Sequence, residues 1–101
     1  MSLVGDYRLH DSVIKNIDIL DEKVVVELET MKKERLFLDL EGVIEIDRYK
    51  TDNMFIYSVI QEQYDENHCN VIFVNWHSKE EVGGDSKFEV VCENWSLREG
   101  K

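Results

Sequence analysis

Apolar and polar residues alternate along nearly the whole chain. The run Leu36, Leu38, Leu40, Ile44 and Ile46, interleaved with Asp39, Glu41, Glu45 and Asp47, carries the pattern most clearly. A period of two is what a β-strand needs when one face meets a core and the other meets water. It predicts an all-β, single-domain chain: an antiparallel β-sandwich or open barrel of six to seven strands, with at most one short helix.

The first strand is expected over Ser12–Leu20. Val13, Ile17 and Leu20 also fit one face of a helix that Ser12 would cap, but the β-branched Val13, Ile14, Ile17 and Ile19 favour a strand. Asp21-Glu22 reads as a tight hairpin turn into residues 23–30, where Val24, Val26 and Leu28 share a face. A turn at 31–34 precedes a strand over 35–40. Gly42 then interrupts the alternation without shifting its parity, which suggests a bulge, a sharp bend or a close backbone approach before residues 43–49. After a loop at 50–53, residues 54–64 and 69–77 are apolar on both faces, as central strands covered on both sides would be. Val71, Phe73, Val74 and Trp76 are expected among the most buried residues. Residues 54–64 are also long enough for three helical turns. Residues 65–68 form a hairpin loop by composition. Residues 79–86, with Gly83-Gly84, are expected to be the most flexible stretch and to lead into a last strand from Lys87 to about Leu97.

With 101 residues the chain has the size of one domain. Its 22 acidic residues against 12 basic give a net charge of −10. Nucleic-acid backbones and anionic membranes would repel it, so the expected partners are cationic proteins, unless the charge serves solubility alone. No continuous apolar stretch approaches the ~20 residues of a membrane helix, and the N-terminus lacks signal-peptide blocks. A cytoplasmic location follows as the expectation. Cys69 and Cys92, far apart in the sequence, are then expected to be free thiols. Met1-Ser2-Leu3 and Glu99-Gly100 have the look of appended residues and receive no functional weight. The chain contains no proline, so its edge strands lack one usual block to pairing. Charges must guard those edges, or a second copy pairs with them in a homo-oligomer.

Candidate chemistry is sparse. His10-Asp11-Ser12 has the residue types of a hydrolase triad, but triad members converge from separate elements, and a turn is the commoner use of such a run. His10, His68, His77, Cys69 and Cys92 are potential metal ligands in no paired-ligand spacing. Trp76, Trp95 and the four tyrosines would either line a ligand pocket or, more commonly, build the core. The acidic groups Asp39/Glu41, Glu45/Asp47 and Glu62/Asp65/Glu66 would serve as paired carboxylates only across a cleft that so small a domain seldom encloses. No phosphate-binding glycine loop is present. The expectation is therefore no enzyme, no catalytic residue, no metal and no cofactor, with stability indifferent to reductants and chelators.

Leu9-His10-Asp11-Ser12-Val13-Ile14-Lys15-Asn16-Ile17, followed by the alternation over 24–29, resembles the opening of small bacterial β-rich proteins of unknown function that begin with an hDs-x-I signature. Some related small acidic proteins act as immunity proteins against polymorphic toxins. The resemblance covers about the first thirty residues. It implies a bacterial, non-enzymatic protein and transfers no functional residues. The leading expectation is an acidic interaction protein that binds a cationic protein partner, toxin-neutralising in its sharpest form. Glu45, Asp47, Glu62, Asp65 and Glu66 are its candidate contact residues. The alternative is a small ligand-binding barrel or sandwich with an aromatic-lined pocket.

Overall fold

A computed structural model describes residues 2–3, 9–49, 51, 54–75 and 87–100. Its strands are β1 (Ser2–Leu3), β2 (Ser12–Leu20), β3 (Lys23–Glu29), β4 (Arg35–Glu41), β5 (Glu45–Tyr49), β6 (Phe55–Gln63), β7 (Cys69–Asn75), β8 (Lys87–Cys92) and β9 (Asn94–Glu99). Among the described residues there is no α-helix. The two segments that also fitted helical spacing, 12–20 and 54–64, are strands. Every pairing is antiparallel, in one nine-stranded sheet ordered β5-β8-β7-β6-β2-β3-β4-β9, with β1 also on β6.

The strand order hides a continuity. Residues 42–44 join β4 to β5, and Glu93 alone joins β8 to β9. β4 pairs with β9 from Leu36↔Glu99 to Glu41↔Asn94, and β5 pairs with β8 from Glu45↔Val91 to Tyr49↔Lys87. Two long runs thus lie side by side and bend together, so the chain segments at the two ends of the strand order are the same. The sheet rolls around its own apolar face, closer to the open-barrel than to the sandwich expectation.

Gly42 makes the bend. Its φ is +67°, in the left-handed region that only glycine enters freely. A Cβ at this position would lie 2.5 Å from Glu93 Cγ. Opposite it, the Glu93 N–H donates to the Glu41 carbonyl at 2.9 Å, and the Ile44 N–H donates to Val91 at 2.9 Å. The Val43 N–H donates to Glu22 at 2.8 Å, which ties the corner to the β2–β3 turn. Of the bulge, sharp bend or close approach expected at Gly42, the bend and the close approach are present.

Three irregularities decide which side chains enter the core. In β2 the register shifts between Ile14 and Asn16, so Ser12 and Ile14 are buried before the shift and Ile17 packs inward after it. In β6 the shift between Ile56 and Ser58 puts Met54, Ile56 and Val59 on one side. After Glu93 the inward set changes from Phe88, Val90 and Cys92 to Trp95 and Leu97. The two-sided apolar character expected of residues 54–64 is corrected accordingly: Phe55 and Tyr57 are exposed. Val71 and Phe73 are buried as expected, whereas Val74 is only half-buried on the outer face. Trp76, His77 and the stretch 79–86 lie outside the described residues.

Among the described residues nine strands replace the expected six to seven, because the last strand splits at Glu93 and Ser2–Leu3 adds another. Residues near both ends of the chain join the sheet. Ser2 and Leu3 pair with Gln61 and Ile60, Glu99 pairs with Leu36, and the Gly100 N–H donates to the Arg35 carbonyl at 2.9 Å. At the tight turns, Asp21 and Lys33 adopt positive φ (48° and 66°), where glycine would be usual. The Thr30 hydroxyl accepts the Lys32 and Glu34 N–H groups and holds the second of these turns.

Phe73 stacks on Phe88 with ring centroids 4.5 Å apart. Phe73→Ala is expected to lower the unfolding free energy by about 3–5 kcal/mol, measured by urea denaturation. Gly42→Ala is expected to cost about 1–3 kcal/mol through backbone strain alone. A Gly42→Ala variant as stable as the parent would mean that the corner is not a fixed element of the fold.

Candidate functional site

Residues in cross-strand register point to the same face of a sheet. Following the register outward from β5 gives one row through Glu45, Val91, Asn70 and Glu62, and a second through Asp47, Glu89, Ile72 and Ile60. Phe88, Val90, Val71, Phe73 and Val59 alternate with these and face the core. Glu45 and Asp47 therefore share an outer face with Glu62, although β5 and β6 are separated by β8 and β7. Three interstrand spacings of about 4.8 Å put them roughly 14 Å apart. Asp65 and Glu66 sit at the tip of the hairpin that joins β6 to β7. Glu45, Asp47, Glu62, Asp65 and Glu66 are all exposed.

The face has internal structure. Lys87 Nζ lies 2.8 Å from Asp47 and 3.9 Å from Glu89, and its hydrogen bond to Asp47 raises its pKa above the usual lysine value. Asn70 Nδ2 donates to Glu89 Oε1 at 3.0 Å. Glu89, which sequence reasoning did not nominate, thus belongs to the acidic face; its place in the alternation two residues after Lys87 was the available signal. Ile60 and Ile72, both half-buried, continue the second row beyond Asp47 and Glu89. Asp65 is engaged within its own turn. Its Oδ1 accepts the Asn67 N–H at 2.8 Å and faces His68 Nδ1 at 2.8 Å. The His68 hydrogen bond is the main cause that holds the Asp65 carboxyl below the ordinary carboxylate value.

The other nominated residues are occupied differently. Ser12 is buried, and its hydroxyl donates to the Leu9 carbonyl at 2.7 Å. His10 Nδ1 hydrogen-bonds the Tyr57 carbonyl, its ring packs edge-on against Tyr57, and Nε2 lies 3.6 Å from Asp11. With Asp11 at φ 66°, the run His10-Asp11-Ser12 forms a turn at the start of β2. Asp39 does not stand in water as the alternation suggested. It is buried against Arg98, whose Nε donates to Oδ2 at 2.7 Å and Nη2 to Oδ1 at 3.3 Å, while the guanidinium covers the Phe37 ring. Trp95 packs against the core and donates its Nε1–H to Gln61 Oε1 at 3.0 Å. A shallow surface hollow of about 410 Å³ lies over Val13, Met31 and Phe55, rimmed by Asp11, Glu29 and Lys33. Among the described residues, no three His, Cys, Asp or Glu side chains converge as a metal site would require. No helix among them is long and apolar enough to cross a membrane.

Cys69 and Cys92, both free, are direct cross-strand partners on β7 and β8. Their separation in sequence concealed this. Both face inward, Cys92 fully buried and Cys69 half-buried. Burial pushes the Cys92 thiol up to about 12, helped by the adjacent Cys69, whose charge and hydrogen bond act in the same direction.

This shift fixes the sign of a pH effect. A thiol kept neutral in the fold but free to ionise near its ordinary pKa once unfolded stabilises the native state fully below pH ~8.5–9. That contribution is lost as pH rises toward about 12. Urea midpoints followed from neutral to alkaline pH are expected to fall, and to fall less in Cys92→Ala; equal slopes would refute the assignment. No protein-family model matches this chain, and no curated protein or solved structure matches it either.

Proposed function

We propose that this chain is an acidic interaction protein that binds a cationic protein partner through the outer face of β5, β8, β7 and β6. The observation that carries the reading is the shared register of Glu45 and Glu62 across four strands, with Asp47 and Glu89 in the next row. Asp47 and Glu89 stand beside the half-buried apolar pair Ile72 and Ile60 in the same row, an apolar patch edged by charge of the kind interfaces use. Among the described residues of these rows and their hairpin, Lys87 is the one basic chain near Asp47 and Glu89, so the local field is strongly negative. A net charge of −10 extends that field beyond the face, which accelerates encounter with basic surfaces and disfavours acidic ones. The resemblance of residues 9–29 to small bacterial proteins related to immunity proteins gives the sharpest form: a cytoplasmic neutraliser of a basic toxin. The second reading places a small ligand in the hollow over Val13, Met31 and Phe55.

The test is kinetic. The partner to try first is any basic toxin-like domain encoded beside this gene, with association followed by stopped flow. Raising salt from 0.1 M to 1 M shortens the Debye length from about 10 Å to about 3 Å, and the association rate is expected to fall by at least about tenfold. The combined variant Glu45→Gln, Glu62→Gln, Glu66→Gln is expected to slow association while dissociation and stability change little, because exposed charges contribute little to folding. Asp65 is left intact because it also orders its turn. An association rate indifferent to salt and to these substitutions would reduce the acidity to a solubility device and put the ligand reading first.

A further inference from the structure

We propose that Cys69 and Cys92 form a reversible disulfide site that exchanges with low-molecular-weight disulfides of the glutathione type. The geometry rests on register. Cys69 opposite Cys92 is the outermost assigned pair at this end of the β7–β8 ladder, and directly opposed residues of antiparallel strands have Cα atoms about 4.5–5.5 Å apart. A disulfide spans Cα separations of roughly 4.4–6.8 Å, so the bond forms without strand displacement. These are the only two cysteines in the chain, and the strand register sets them directly opposite each other.

The two sulfurs differ in access, and this orders the steps. Half-buried Cys69, the first residue of β7 after the 65–68 loop, is reachable from solvent, while Cys92 is sealed in the core. The Cys69 thiolate attacks one sulfur of the small disulfide, forming a mixed disulfide and releasing the first small thiolate. Cys92 then gives up its proton to solvent, and its sulfur attacks Cys69 Sγ, expelling the second small thiolate. In total two protein thiols are oxidised to one disulfide, and one small disulfide is reduced to two small thiols. Conversion of Cys69 to the neutral mixed disulfide removes the neighbouring charge that opposes ionisation of Cys92, which assists the second step. The new bond clamps β7 to β8 at the base of the acidic hairpin and beside the Glu93 corner. A small-thiol pool of the reducing kind reverses it.

The experiment exposes the reduced full-length chain to glutathione disulfide, under native conditions and in denaturant, then alkylates the remaining thiols and measures intact mass. The expected native product is a monomer that has lost two hydrogens and takes up no alkylating reagent. It should form faster than in denaturant because the fold holds the sulfurs in register. Cys69→Ser is expected to resist the oxidant, its Cys92 being sealed. Cys92→Ala is expected to stop at a mixed disulfide on Cys69. The oxidised parent is expected to melt at least about 5 °C above the reduced parent, since the bond restricts the unfolded chain. A parent that halts at the mixed disulfide, links two chains, keeps both thiols, or closes no faster folded than unfolded would overturn the proposal without requiring either variant to fold.

Discussion

The double corner formed by Gly42 and Glu93 is the constraint on which the structure depends. An antiparallel sheet with one apolar face must cover that face, and among the described residues neither a helix nor a second sheet is placed against it. Here the sheet covers itself. The 35–49 run turns through a backbone conformation open to glycine, and the 87–99 run turns beside it by way of one extra residue. The Glu93 N–H bonds the Glu41 carbonyl, and a Cβ at Gly42 would collide with the Glu93 side chain, so the two runs bend together. The leucines of β4 and the apolar residues of β8 thereby come to line one interior, with Leu36, Leu38, Leu40, Phe88 and Val90 all withdrawn from water.

Charged residues gather on the convex side of the rolled sheet. Two arrangements coexist on that side. Asp39 and Arg98 form a two-pronged ion pair over Phe37, a structural use in which the carboxylate is buried and neutralised. Around β5, β8, β7 and β6 the carboxylates instead remain exposed and outnumber the local cations, so their field reaches solvent. The difference follows from neighbours. Asp39 has an arginine diagonally across from it on β9, while Glu45 and Glu62 have Val91 and Asn70.

Most strands were legible because stretches of alternation and β-branched residues mark them, and several ends fall where Asp21-Glu22, residues 31–34 and residues 65–68 break the pattern. The inward assignment of particular side chains was not legible wherever a bulge intervened. One extra residue reverses the parity of all that follows, which is why Ile14 and Ile17, or Ile56 and Val59, share an interior at odd spacing, and why residues 54–64 seemed apolar on both faces. The acidic residues of the candidate face could be read from composition and strand position, but their union could not. That union depends on β8 and β7 lying between β5 and β6, a strand order that local pattern does not encode. The meeting of Cys69 with Cys92 was hidden for the same reason.

What the sequence by itself determined is the local grammar: an all-β chain, most of its strand and turn positions, its negative charge and an irregularity at Gly42. These follow from short-range physics, since alternation, β-branching and glycine's freedom at positive φ act within a few residues. Tertiary structure alone decided the closure of the sheet by two bent runs, the parity switches at the bulges, the burial of Asp39 against Arg98, the shared face of Glu45 and Glu62, and the pairing of the two thiols. Each depends on backbone hydrogen bonds between segments distant in sequence. Backbone groups are alike in every strand, so the choice among possible pairings falls to the burial of the whole apolar set at once.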